Sequence, residues 1–462
     1  MTLSVIDEKK IELFETMPVP QAVARLSVPT VISSLVMVLY NLADTYFVGM
    51  LNSPVQTAAV TFAAPVLLAF NALNNLFGTG CSSLMSRALG KKDYDTVQRT
   101  STFGFYGALC CALLLSLGST VFRPQLLAVL GVDAASDEAT RQYLFWTVTC
   151  GAAPAILNVV LGFMIRAEGA SLHASIGTMS GCLLNVLLDP VFIMPWGLGM
   201  GAAGAGCATF LSNCFACGYF FVLLAVKRRG TLISLDPRHF CLRGDILRGS
   251  FGVGIPAAIQ NLLNVTGMTV LNNLTAPFGT AAVAAMGITH KINMVPMYVS
   301  MGMGQGIMPL VGYNYSSGNA DRMKKAVTFT AKICLVFILA ATLGYYLFAG
   351  GVIRLFMKDE AIIAYGTRFL RGFCLGLPFL AVDFLAVGIF QAVGMGKASF
   401  VFAVMRKILL EIPALLLLNL IAPLYGLAYS QLCAEVVLCA AAIVVLLRLF
   451  QRVEAESKNP EN

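Results

Sequence analysis

Twelve apolar runs, each about 20 residues or longer and separated by short polar breaks, constrain this chain before anything else. A helix closes all its backbone hydrogen bonds within one such run, and about 20 residues cross the hydrocarbon layer of a bilayer. The runs fall near residues 27–50, 57–86, 98–121, 142–165, 171–194, 201–226, 249–274, 281–311, 327–350, 366–393, 399–421 and 424–447. Charged residues make up 12% of the chain, against roughly 25% in soluble domains, which excludes a water-soluble fold. Twelve spans leave no room in 462 residues for an extramembrane domain. The 42 glycines and 18 prolines scattered through apolar sequence fit this reading, since small residues let membrane helices pack closely.

The basic residues set the threading, because Lys and Arg near span ends accumulate on the cytoplasmic side. With the N-terminus inside, 23 of the 31 basic residues fall in cytoplasmic segments, Arg406 and Lys407 among them. Arg123, Arg141, Arg354, Lys358, Arg368 and Arg371 fall outside, and Lys291 and Lys332 lie within spans. Both termini are then cytoplasmic. The N-terminal stretch carries Asp7, Glu8, Lys9, Lys10, Glu12 and Glu15 and has no signal-peptide pattern.

The longest hydrophilic stretch, Lys227 to Arg248, holds six basic residues and reads as a cytoplasmic hinge between two halves. The halves repeat each other. Pro29 pairs with Pro256, Thr57-Ala-Ala-Val60 with Thr280-Ala-Ala-Val283, Gly78-x-Gly80 with Gly304-x-Gly306, Pro154 with Pro378, and Gly169 with Gly394. All offsets lie between 223 and 227. The expected class is therefore an all-α polytopic membrane protein with twelve transmembrane helices in two six-helix lobes. The lobes are residues 1–226 and 249–462, joined by a linker at 227–248 and related by a parallel repeat.

Thirteen cysteines lie mostly inside apolar runs and read as reduced packing residues. Cys214 and Cys217 form a C-x-x-C with no second pair, and His173, His239 and His290 are too scattered for a metal site. No cofactor and no enzymatic chemistry are expected.

Ionised groups within a span are costly, by about 2.5–3.5 kcal/mol on insertion scales, so each is a functional candidate. The acids are Asp44, Asp189, Asp383, Glu411 and Glu435. Buried pairing is the competing account for Asp383, Glu411, Glu435 and Lys291, whereas Lys332, Arg406 and Lys407 are expected to snorkel to the cytoplasmic surface. Asp44 and Asp189 stand apart, because both lie near the outer ends of outward-running spans. Asn41 precedes Asp44 by three residues and Asn185 precedes Asp189 by four, which places an amide on each carboxylate's helical face. Carboxylates with amide oxygens are hard ligands that suit Na⁺. Alternatively, mutual repulsion lets one aspartate hold a proton. Pro190 lacks a backbone donor and is expected to loosen its helix there.

Several motifs together resemble the multidrug and toxic-compound extrusion (MATE) family. They are Asn41-Leu-Ala-Asp-Thr-Tyr-Phe-Val-Gly49, Ser86-Arg-Ala-Leu-Gly90, Arg166-Ala-Glu-Gly169, Asn185-Val-Leu-Leu-Asp-Pro-Val-Phe-Ile193 and the Gly197 to Thr209 stretch. Gly302-Met-Gly-Gln-Gly-Ile-Met-Pro-Leu-Val-Gly-Tyr-Asn-Tyr315 resembles the bacterial branch containing the DNA-damage-inducible type. The resemblance covers nearly the whole chain. It implies a two-lobe antiporter in the bacterial cytoplasmic membrane that exports amphipathic, often cationic, compounds while Na⁺ or H⁺ enters. The partners it implies are a small-molecule substrate and membrane lipids, with no nucleic acid, for a monomer.

Carried over by position, the resemblance puts the coupling-ion site on Asp44, Asn185, Asp189 and Thr209, and makes Pro29 a weak point for bending of the first span. Asn41, Gln260, Asn264, Lys291 and Asp383 are candidates for substrate contact or a second site. The branch with an acidic site in the seventh span has a glutamate where this chain has Asn264, which weakens a C-lobe site of that kind. Lys291 matches a basic position of the bacterial branch and is a candidate counter-ion for Glu411 or Glu435.

Two rival readings follow from the same residues. A flippase for a lipid-linked precursor shares the two-lobe plan but adds two spans and an arginine-lined cavity, and this chain has neither. An intramembrane aspartyl protease needs glycine before one aspartate, whereas Ala43 precedes Asp44 and Leu188 precedes Asp189.

Overall fold

The chain's fold comes from a computed structural model, which describes residues 11–227, 230–356 and 358–458. Asp7, Glu8, Lys9, Lys10, Arg228 and Arg229 lie outside the described residues. The described residues are mostly helical, without strands, and make twelve passes.

The passes are α1 (Val19–Met50), α2 (Pro54–Gly90), α3 (Tyr94–Val121), α4 (Asp137–Cys150 with Ala152–Ala167), α5 (Ser171–Ile193) and α6 (Ala202–Val226) in the first half. The second half holds α7 (Gly244–Thr275), α8 (Thr280–Ser316), α9 (Ala320–Arg354), α10 (Glu360–Cys374 with Leu377–Ala392), α11 (residues 396–421) and α12 (Tyr425–Ser457). Seven of these are apolar and long enough to cross a membrane alone, and nine are when each bent pair counts as one. The remaining three, α7, α8 and α11, carry the amides and charges singled out in the sequence: Gln260, Asn261 and Asn264; His290 and Lys291; Arg406, Lys407 and Glu411.

The duplication is written into the backbone. α4 and α10 each bend by 48° at the same place in the repeat, next to Gly151 and Gly376. Positive φ angles recur at matching turns: Asn52 (+46°) with Gly279 (+97°), Lys92 (+57°) with Gly318 (+76°), Gly169 (+86°) with Gly394 (+83°), and Gly199 (+63°) with Leu424 (+68°). The starts of α3 and α9 are capped alike. Asp93 accepts from the Thr96 backbone N–H at 3.1 Å, and Asn319 accepts from that of Arg322 at 3.1 Å. Each cap satisfies a backbone donor that has no partner within the helix.

By packing, the chain forms two compact units. One takes Ile32–Ala258 with the described residues before Met17, and the other takes Met17–Val31 with the described residues from Ile259 onward. The divisions fall inside α1 and α7, two residues after Pro29 and Pro256, rather than in the loops at 226 and 249. In the first unit, the opening turns of α7 press on α2 so closely that a Cβ at Gly254 would lie 2.1 Å from the Leu76 carbonyl oxygen. Phe251 packs edge-on against both Phe77 and Phe103. In the second unit, the opening turns of α1 meet α8, where a Cβ at Gly306 would lie 2.6 Å from the Ser27 Cα. Pro29 sits ten residues into α1, well inside the helix rather than at its entry.

The described part of the linker is no free hinge. Thr231 donates its hydroxyl to Glu168 Oε2 at 2.8 Å, and Glu168 also accepts from the Leu232 N–H. Thr102 and Tyr106 of α3 donate to the carbonyls of Ser234 and Leu235 at 2.9 and 3.0 Å. Glu168 is buried, and a carboxylate that accepts these donors straps the linker across its own unit. All thirteen cysteines are free thiols, Cys214 and Cys217 included.

Candidate functional site

Helices α5 and α6 pack closely because glycine and alanine line their seam. A Cβ at Gly204 would lie 2.4 Å from the Phe192 carbonyl oxygen, and one at Gly181 would lie 3.0 Å from the Ala216 Cβ. This approach brings the last turns of α5 against the first turns of α6, where Asn185, Asp189 and Thr209 meet. Asp189 is 0% exposed and Asn185 2%. Asn185 Nδ2 donates to Asp189 Oδ2 at 2.9 Å, while its Oδ1 accepts from the Thr209 hydroxyl at 3.2 Å and from the Thr209 backbone N–H at 3.0 Å. Three of the four residues that the resemblance placed in one site therefore form one hydrogen-bonded chain.

Asp44 completes the group from α1. It is half-buried, and its charge acts on Asp189 and on the buried ring of Tyr143 from α4. Among the described residues, neither aspartate has a lysine or arginine partner within ion-pair distance. Tyr40, one turn before Asp44, lies beside Thr209. Sequence reasoning passed over Tyr40 and Tyr143. The i, i+4 spacing of Tyr40 and Asp44 was a usable signal for the first. No local pattern marks Tyr143, which reaches the site only through the fold. The donor set of two carboxylates, one amide, one hydroxyl and two phenols is hard and oxygen-rich, and it suits a proton or a small monovalent cation.

Two local features bear on the expectations for α1 and α5. Asn41 is exposed and donates to the Met37 carbonyl of its own helix at 2.9 Å, because an unshielded amide finds that acceptor first. α5 also runs through Pro190 to Ile193 unbroken. The proline withholds one donor, from the carbonyl a turn earlier, and frees no larger stretch of backbone.

The second unit holds a separate ionic cluster. Arg406 is 3% exposed, stands ten residues into α11 and does not snorkel. It pairs with Asp383 of α10, and its Nε lies 3.0 Å from Glu435 Oε1 of α12. The guanidinium also stacks 4.6 Å over the Phe384 ring. At this depth of burial, pairing with two acids outweighs the alternative of leaving them alone. Lys407 likewise stays down, with its Nζ 2.6 Å from Glu411 Oε2. Both cations sit in a π-helical turn, Met405–Glu411, which widens α11 there.

The two cations drop out of the cytoplasmic charge count. Glu411 and Glu435 take their partners from α11, so Lys291, which is exposed, is not their counter-ion. Gln260 accepts weakly from Gln391 at 3.5 Å, and Asn264 is half-buried. Among the described residues, no three His, Cys, Asp or Glu side chains gather as a metal site.

A twelve-pass helical chain built from two like halves, with uncompensated carboxylates inside one of them, defines a polytopic membrane protein of the transporter class. The chain belongs to the MATE family. The MatE family model matches it twice, at residues 29–191 and 256–417, once per half. The multidrug export protein MepA of Staphylococcus aureus (strain MRSA252) is 31% identical over 457 residues, covering 97% of this chain and 98% of that protein. MepA of Staphylococcus haemolyticus (strain JCSC1435) is 30% identical over 452 residues, with the same coverage. An outward-facing multidrug resistance MATE transporter has the same fold, with a TM-score of 0.90 at 24% identity over 97% of this chain and 99% of that one. A MOP superfamily transporter from Pyrococcus furiosus, described as having a binding pocket of reversed polarity, gives 0.86 at 26% identity with the same coverage.

Proposed function

We propose that the chain is a secondary antiporter that exports amphipathic, cationic drugs or toxic metabolites in exchange for Na⁺ or H⁺. The observation that carries the reading is the pair Asp44 and Asp189, coupled to each other and lacking any basic partner among the described residues. Two such carboxylates repel in a low-dielectric site, so binding one small cation relieves the repulsion and releasing it restores the strain. Relatives named for multidrug export support the substrate class.

Asn185 gives the exchange a local reporter. With its Nδ2 toward Asp189, the amide supports an anionic, cation-free carboxylate. A Na⁺ ion beside Asp189 calls for the amide oxygen instead. In this reading the chain lies in the bacterial cytoplasmic membrane as a monomer, with both termini inside. Its two lobes, 1–226 and 249–462, are joined by 227–248.

The test is export of a cationic dye from proteoliposomes under an imposed Na⁺ or pH gradient. Asp44→Asn and Asp189→Asn should each abolish gradient-driven export, and the gradient that drives the parent names the ion. Intact export in either variant would refute the site. The orientation is tested in whole cells with a membrane-impermeant thiol reagent, which should leave Cys241 of the linker unlabelled. Labelling of Cys241 from outside would invert the threading.

A further inference from the structure

The cluster in the second unit is not electrically balanced. Asp383 and Glu435 bring two negative charges to Arg406, which supplies one positive charge, and all three side chains are at most 3% exposed. Lys407 and Glu411 cancel each other beside it. One excess negative charge is left among buried side chains, and an uncompensated buried charge is strongly unfavourable in such surroundings.

The imbalance has an address. Asp383 Oδ2 accepts from Arg406, and both Glu435 oxygens face the guanidinium, but Asp383 Oδ1 is buried with no partner. No element packed on α10 offers it one among the described residues. α11 spends Arg406 on the two acids and Lys407 on Glu411. On α12, Glu435 faces Arg406, and the Cys439 thiol lies by Glu435. On α8, His290 lies by Lys407 and Glu411, while Lys291 is exposed. On α9, Lys332 is exposed and Cys334 bonds to Ser300. A single open oxygen beside a guanidinium cannot supply the several ligands of a metal cation. It suits one proton.

We infer that Asp383, Arg406 and Glu435 form a single-proton site in the second unit, with the proton carried on Asp383 Oδ1. An O–H bond forms there with a proton taken from water and breaks when the proton returns. The protonated carboxyl keeps its other oxygen as the acceptor for Arg406, so the ion-pair geometry survives both states. The site is separate from the aspartates of α1 and α5 and uses no group of α7.

Infrared difference spectroscopy on the purified full-length chain tests this, in an Asp44→Asn, Asp189→Asn background that removes the carboxyls of the first unit's site. A deuterium-sensitive carbonyl band of a buried protonated carboxyl should persist there. It should vanish on adding Asp383→Asn. Glu435→Gln should remove the band as well, because one acid against one base needs no proton, and it serves if the first variant does not fold. Absence of the band in the background protein, or its survival in either variant, would overturn the inference. The readout involves no transport, so its failure leaves the antiport reading standing.

Discussion

Gly169 and Gly394 occupy the same turn of the two halves and share a backbone conformation, with φ of +86° and +83°. Each ends a bent helix, α4 or α10, and starts the next pass, so one glycine-dependent turn is used twice. At Gly169 the turn is also crowded: a Cβ would lie 2.8 Å from Leu13 Cδ2 and 3.0 Å from Phe14 Cζ.

Gly169→Ala is expected to destabilise the chain by about 1–2 kcal/mol from backbone strain alone, with the contact to Leu13 adding to it. A lowered melting temperature in detergent checks this. A melting temperature equal to the parent's would mean that the turn relaxes without strain.

Asn185→Ala removes the donor to the buried Asp189 and the acceptor for Thr209 together. Leaving a buried carboxylate short of one donor costs about 1–3 kcal/mol. The expected outcome is impaired dye export, with a smaller loss for Asn185→Gln, which keeps both amide atoms. Equal activity in Asn185→Ala and the parent would remove the amide from the ion-binding group.

Arg406→Met strands Asp383 and Glu435 in a dry interior, and breaking a buried ionic group in this way costs about 3–5 kcal/mol. Thermal unfolding in detergent should show a large loss. Replacing both acids with leucine in the same background should recover most of it. Recovery failing while the triple variant still folds would show that Arg406 acts through its stacking on Phe384 rather than through charge.

Asp93 lies between α2 and α3, outside the membrane-spanning segments. Hydrogen bonds from the Thr96 side chain and backbone hold its carboxyl below the usual carboxylate range. A group whose folded-state pKa is depressed stabilises the fold above its unfolded value and loses that contribution as pH falls through the folded value. Asp93→Ala should therefore lower stability by about 1 kcal/mol near neutral pH, the usual worth of such a cap. The difference from the parent should shrink below about pH 4, and melting curves at both pH values check the sign.

The twelve passes were legible because bilayer thickness imposes a length on every apolar run and a helix needs no partner to close its own hydrogen bonds. The repeat was legible for a related reason. Turns that need positive φ or a missing N–H tolerate few residue types, so Gly169 and Gly394, or Pro154 and Pro378, remain visible as pairs. Asp44 and Asp189 were legible as carboxylates with nowhere polar to go.

What the sequence decided by itself was therefore local and one-dimensional: where the chain enters and leaves the hydrocarbon, and which side chains are out of place there. Which charges neutralise one another was decided only in three dimensions. Arg406 and Lys407 look alike in the sequence, yet one is held between acids from two other helices and the other by an acid one turn away on its own helix. The division of α1 and α7 between the two units likewise depends on which distant glycine admits a close approach. Coulomb energy and packing act over a few ångströms of space, and residues far apart in the chain become neighbours only once it has folded.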